Sequence, residues 1–184
     1  MISQGAEAIV YSDGGTAVKK RVKKSYRHPV LDARLRRERT RSEAKIITAA
    51  KSNGINTPTL VSINEIQHTI SVSFIKGKQL KNASCNYTLV GMELAKLHNA
   101  GIAHGDFTTS NVMISGGKPV IIDFGLSSFT QKIEDYAVDL DLFSKTVSEK
   151  QFASFLRGYK QRKTNAQAVL SQLTELESRG RYKT

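Results

Sequence analysis

The residues with the clearest chemical potential are His104-Gly105-Asp106-Phe107-Thr108-Thr109-Ser110-Asn111, followed by Ile122-Asp123-Phe124-Gly125. They give an aspartate, an asparagine five residues later and a second aspartate twelve beyond that. Two short apolar runs around Gly116-Gly117 lie between the last two, a pattern that reads as a β-hairpin. Such groups suit transfer chemistry: a carboxylate can take a proton from a hydroxyl or water, and carboxylate and amide oxygens are the hard donors that Mg2+ shares with phosphates. The competing reading is a turn in which Asp, Thr, Ser and Asn make only local hydrogen bonds. Three such positions in register across one hairpin weigh against it.

The elements that must hold these groups follow from periodicity. Residues 7–11 and 16–19 read as short strands around the Asp13-Gly14-Gly15 turn, and Pro29 with the polar stretch before it interrupts the pattern. One long, very polar helix is expected from Leu31 to Lys51, ended at Asn53-Gly54 with Gly54 as a left-handed cap. Residues 59–63 and 69–75 alternate as strands around the turn 64–68, and Gly77 breaks the pattern. Leu89, Val90, Leu94 and Leu97 predict a core-facing helix over 87–99. Strands at 112–114 and 120–122 form the hairpin, and helices are expected over 134–146, 149–161 and 165–178. The shift near Gly77 predicts an α+β chain: a small β lobe with one long helix over 1–76, and a mainly helical lobe over 77–184.

Composition bounds the function classes. The 184 residues are 39% hydrophobic and 24% charged, which excludes wholesale disorder. No apolar run approaches the ~18 residues of a membrane span, so no membrane partner is expected. The single cysteine, Cys85, cannot form an internal disulfide, which favours a reducing, cytoplasmic location. The formal net charge is +12, and it is unevenly spread. Residues 17–51 carry 13 Lys and Arg against 3 acids, and residues 150–184 carry 8 against 2, while the remainder is net acidic. Such local positive potential suits a polyanion, nucleic acid above all, with a merely solvated face as the alternative.

The Asp106, Asn111 and Asp123-Phe124-Gly125 pattern resembles the catalytic core of the protein-kinase-like superfamily, and it implies ATP and Mg2+ as cofactors. The resemblance makes Asp106 the base or nucleophile-positioning residue, and Asn111 and Asp123 the metal ligands. Lys19, closing Ala17-Val18-Lys19, matches the strand lysine that contacts the nucleotide phosphates. Lys20, Arg21, Lys23 and Lys24 compete with it in the same basic run. Glu43 matches the ion-pair partner of that lysine, with Glu38 as its rival. Ala44, Ile46 and Ile47 favour an inward face at Glu43. Nucleotide contacts are implied at Gly5, Ala6, Glu7, Ala8 and Val10, and along Phe74 and Ile75 up to Gly77. The sequence departs from the family in three places. The phosphate loop keeps only Gly5 and Val10 of G-x-G-x-x-G-x-V and adds an acid at Glu7. Thr108 stands where protein kinases carry a lysine. No A-P-E motif follows Gly125.

Longer segments narrow the resemblance. Gln4-Gly5-Ala6-Glu7-Ala8, Tyr26-Arg27-His28-Pro29, Arg39-Thr40-Arg41-Ser42-Glu43-Ala44, His104 to Asn111, and Glu177-Ser178-Arg179-Gly180-Arg181 are together similar to the small atypical Ser/Thr kinase subunit of the KEOPS (EKC) tRNA-modification complex. The start at Met1 points to the free-standing, archaeal-like form. That resemblance implies a minimal two-lobed protein-kinase-like fold lacking the peptide-binding half. It also implies Ser/Thr kinase and ATPase activity that supports threonylcarbamoyladenosine formation in tRNA. The implied partners are the threonylcarbamoyl-transferase subunit, a small regulatory subunit on the N-lobe, and tRNA. Arg36, Arg37 and Arg41 on the long helix and Arg179 and Arg181 near the terminus are the candidate tRNA or partner surface, through salt-sensitive phosphate contacts. Asp139 is expected to anchor the catalytic-loop backbone rather than touch ATP. Rival classes are a small-molecule phosphotransferase of the aminoglycoside or choline type, a RIO-type kinase, and a largely non-catalytic, nucleotide-sensing tRNA-binding module.

Overall fold

Alternation along residues 8–21 and 60–73 builds one antiparallel sheet. In the computed structural model, which describes residues 3–4 and 8–181, its strands are β1 (Ser3–Gln4), β2 (Ala8–Asp13), β3 (Thr16–Arg21), β4 (Leu60–Asn64) and β5 (Thr69–Ser73), in the order β1-β2-β3-β5-β4. Gly14 and Gly15, at φ 52° and 86°, make the tight β2–β3 turn that a side chain would strain. Between β3 and β4 runs helix α1 (Pro29–Ser52), which packs on β4 and β5.

Pro29 starts this helix two residues before the expected Leu31, since a first-turn position needs no amide hydrogen and favours proline's fixed φ. Asp32 in the same turn is fully buried. It accepts hydrogen bonds from Arg36 Nε at 2.7 Å and from the Lys24 amide at 3.3 Å. It thereby pins the Tyr26-Arg27-His28-Pro29 approach to the helix. At the other end Gly54, at φ 71°, closes a Schellman turn. Its amide donates to the Lys51 carbonyl, and the amide of Ile55 donates to that of Ala50.

The rest of the chain is mainly helical. It contains β6 (Lys78–Gln79), α2 (Tyr87–Asn99), β7 (Ile102–Ala103), β8 (Val112–Ser115), β9 (Lys118–Ile121), β10 (Ser128–Phe129), α3 (Ile133–Ser144), α4 (Glu149–Arg162) and α5 (Ala166–Arg181). β6, β8 and β9 form one small sheet, and β7 pairs with β10. The two-residue strands β1, β6, β7 and β10 are too short to leave a periodic signal in the sequence. Helix α2 buries Val90, Leu94 and Leu97 as expected, but Leu89 is exposed, and Gly91, Glu93 and His98 fill the rest of the inner face.

That face is shaped by two glycines. A Cβ on Gly91 would lie 2.0 Å from the Phe155 carbonyl oxygen, and one on Gly158 would lie 1.9 Å from that of Thr88. Helices α2 and α4 therefore cross backbone against backbone. Beside them Phe107, Phe143 and Phe155 stack, with ring centroids 5.2 and 4.4 Å apart in turn. Phe107 directly follows Asp106, so the aromatic core itself anchors the segment from His104 to Asn111.

Candidate active site

A cavity of about 540 Å³ opens beneath the sheet, between β3, α1 and the β8–β9 hairpin. Val10, Ala17, Ile70, Val72, Met113 and Ile122 give it apolar walls suited to a flat base, while Lys19, Asn111 and Asp123 also line it. Phe74 and Ile75 lie on its edge, but β5 ends at Ser73, so neither is a strand residue. The Phe74 amide donates to the Gly15 carbonyl at 3.1 Å and is thus spoken for within the fold. Ala8 is buried in β2 and does not line the cavity. Gly5, Ala6 and Glu7, the expected phosphate loop, lie outside the described residues.

Alternation along β3 turns Ala17, Lys19 and Arg21 to one face, toward α1. There Lys19 Nζ meets Glu43 Oε1 at 2.7 Å and Asp123 Oδ1 at 2.6 Å. Lys19 thus joins three elements, β3, α1 and the turn after β9. Glu38, the rival acid, pairs instead with exposed Arg34 on its own helix at 3.0 Å. Arg21 proves to be a further member of the cluster. It is buried, and its guanidinium bonds the second oxygen of Glu43. Its position two residues after Lys19 on the same strand face was the available signal.

Within this cluster Lys19 and Asp123 favour each other's charged form. Burial pulls the Lys19 pKa down, but the Glu43 and Asp123 carboxylates outweigh it and raise it above the ordinary lysine range. Burial pushes Asp123 up, and the Lys19 charge and hydrogen bond, with the Gly125 amide, hold it below the usual carboxylate range. Asp123 sits at φ 61°, a left-handed conformation that aspartate tolerates better than most residues.

Asp106 and Asn111 form the other half. The Asn111 amide Nδ2 donates to the Asp106 carbonyl at 2.8 Å and to its carboxylate Oδ2 at 2.9 Å. The Asn111 carbonyl in turn receives the Ile122 amide at 2.9 Å, which ties the catalytic segment to the strand leading into Asp123. Asp106 is half-buried and stands beside the cavity rather than in its wall. Behind it Asp139, fully buried on α3, accepts the amides of His104 at 2.6 Å and Gly105 at 2.8 Å, the anchoring role expected for it. A Cβ at Gly105 would stand 2.4 Å from the Leu126 carbonyl oxygen, so only glycine fits there.

The candidate nucleic-acid cations are less free than their charge suggests. Arg36 is drawn in to Asp32, and Arg41 makes a two-pronged pair with Glu65 at 2.9 and 2.6 Å. Arg37 is exposed on the same helix. Arg179 is exposed and lies 3.5 Å from Glu175. The side chain of Arg181 is outside those described.

The chain is similar to several known proteins. The profile of the phosphotransferase enzyme family matches residues 92–171. The chain is 34% identical to the KEOPS complex subunit Bud32 of Pyrococcus abyssi, over all of this chain and 96% of that protein. It is 40% identical to a probable bifunctional tRNA threonylcarbamoyladenosine biosynthesis protein of Methanoculleus marisnigri, over 98% of this chain and 36% of that protein. A similar protein of Natronomonas pharaonis is 39% identical and covered to 35%, so the chain spans about a third of these longer relatives. Among solved structures, the Rio2 kinase of Chaetomium thermophilum superposes with a TM-score of 0.64 at 14% identity, over 98% of this chain and 72% of that one. A choline/ethanolamine kinase family protein of Mesorhizobium loti gives 0.63 at 14% identity, over 88% of this chain and 69% of that one. The fold is protein-kinase-like.

Proposed function

The chain belongs to the family of the KEOPS complex subunit Bud32, and on that footing we propose that it transfers the γ-phosphoryl group of ATP to a hydroxyl or to water at the Lys19, Asp106, Asn111 and Asp123 site. The observation that carries this reading is Lys19 bridging Glu43 and Asp123 at the wall of a cavity sized for a nucleotide. Lys19 supplies the positive charge for the phosphates, and Glu43 keeps it extended toward them. Asp106 accepts the proton as the acceptor oxygen bonds to the γ-phosphorus and the bond to ADP breaks. The hydrogen bond from Asn111 to Oδ2 orients that carboxylate and leaves Oδ1 to take the proton.

Mg2+ fits the donors present. Asp123 and Asn111 offer hard oxygens, and no group of three or more His, Cys, Asp or Glu among the described residues could hold a metal without phosphate oxygens. When bound, Mg2+ would offset phosphate charge and fix the phosphates' orientation.

We propose that the site works inside a KEOPS-type assembly in the cytoplasm, supporting threonylcarbamoyladenosine formation, with the threonylcarbamoyl-transferase subunit, a regulatory subunit on the N-lobe and tRNA as partners. Arg37, Arg41 and Arg179 are the exposed candidates that favour tRNA phosphates. The working lobes of this reading are residues 1–76 and 77–184. ATP turnover and autophosphorylation in Asp106→Ala and Asp123→Ala test it. A loss of about a hundredfold or more is expected in each, and rates near wild type would sink it.

A further inference from the structure

Behind the catalytic segment lies a polar chain that the mechanism above does not use. Tyr159 on α4, His98 on α2 and Asp139 on α3 are all buried, His98 at 2% exposure and the other two at 0%. His98 Nδ1 lies 2.7 Å from the Tyr159 hydroxyl, and His98 Nε2 lies 3.0 Å from Asp139 Oδ2. The Tyr136 ring stacks on the imidazole with centroids 4.4 Å apart and fixes its plane.

The proton positions follow from donor counting. Asp139 already receives the amides of His104 and Gly105, so as a carboxylate it can only accept from His98. Nε2 therefore carries the hydrogen, Nδ1 presents a lone pair, and the Tyr159 hydroxyl must donate to it. Burial lowers the His98 pKa and raises that of Tyr159, which keeps both groups neutral in this arrangement. The opposite tautomer would set a lone pair against the Asp139 carboxylate and a hydrogen against the hydroxyl.

We propose that Tyr159 is a positioning residue for phosphoryl transfer: its hydroxyl holds His98 in the Nε2–H tautomer through which Asp139 clamps His104 and Gly105, one residue before Asp106. Helix α4, which touches no part of the cavity wall, thus governs the geometry of the catalytic carboxylate through two intermediaries. The catalytic consequence rests on the phosphotransferase reading, while the tautomer and the clamp do not.

Nitrogen-15 NMR of the imidazoles in the full chain reads the tautomer directly. A protonated Nε2 and a hydrogen-bonded, unprotonated Nδ1 are expected at His98, and the reverse overturns the proposal. Tyr159→Phe should lower kcat for ATP turnover about tenfold with KM for ATP little changed, and speed amide exchange at His104 and Gly105 by a similar factor. Unchanged kcat and exchange would overturn it. His98→Gln keeps a donor for Asp139 and has no tautomer for Tyr159 to fix, so adding Tyr159→Phe to it should change kcat by less than about twofold. An equal loss on both backgrounds would mean that Tyr159 acts only as packing. A wild type without ATP turnover would refute the phosphotransferase reading, and the tautomer and exchange data would then decide this inference alone. Should Tyr159→Phe fail to fold, the wild-type tautomer and the exchange rates of His98→Gln decide it.

Discussion

Replacing Lys19 should disturb the fold less than replacing Arg21, although Lys19 is the residue proposed to meet the phosphates. Glu43 is 3% exposed and meets both cations, one on each oxygen. Removing one partner of a buried ion pair costs about 3–5 kcal/mol when the other is left alone. Neither single change leaves Glu43 alone. Lys19→Met leaves it with Arg21, which is only 5% exposed and pairs with no second carboxylate among the described residues, and should cost a small fraction of that. Arg21→Met leaves it with Lys19, which it must share with Asp123, and should cost a larger fraction. The double variant strands the carboxylate and should cost the full 3–5 kcal/mol, or roughly 6–20 °C in Tm for a chain of this length. Thermal unfolding by circular dichroism, without nucleotide, measures all three. ATP turnover in parallel should be abolished in Lys19→Met despite its small shift in Tm. Adding Glu43→Gln to the double variant should recover most of the lost stability, because the buried charge is gone. The reasoning is refuted if Lys19→Met falls as far as Arg21→Met, or if the double variant costs no more than either single one.

Two further outcomes follow from the packing and from titration. Gly158→Ala should destabilise by about 3 kcal/mol or more in urea unfolding, since its Cβ would meet the Thr88 carbonyl oxygen at 1.9 Å and only a helix shift relieves it. His98 is buried and its folded pKa lies below the ordinary 6.5. A group with a depressed pKa contributes stability above the unfolded value and loses it as the pH falls through the folded one. Wild type should therefore lose stability below pH 6.5 more steeply than His98→Gln, and parallel stability curves would contradict this.

Much of the site was legible in the sequence because its members lie on short segments with rigid local geometry. Asp106, Asn111 and Asp123 are spaced by one loop and one hairpin, so sequence distance nearly determines their proximity. The helix 87–99 and the hairpin were equally plain, because burial on one face leaves a period. Partnership was not legible. Its place on the Lys19 face of β3 makes Arg21 a candidate, but whether it reaches Glu43 depends on how α1 lies against the sheet. Likewise Arg36 and Arg41 contribute to the charge excess, yet Asp32 and Glu65 claim them once the chain folds.

The sequence by itself determined the chemical inventory: which carboxylates, amide and cations are candidates for phosphoryl transfer, and on which elements. Only the tertiary structure decided how those charges pair and which groups stand behind the segment from His104 to Asn111. Tyr159 lies 61 residues from His98 and Asp139 lies 35 from His104, so their hydrogen bonds exist only where α2, α3 and α4 converge. Hydrogen bonds and ion pairs act over a few ångströms, and for groups so far apart in sequence that distance is set by the packing of helices.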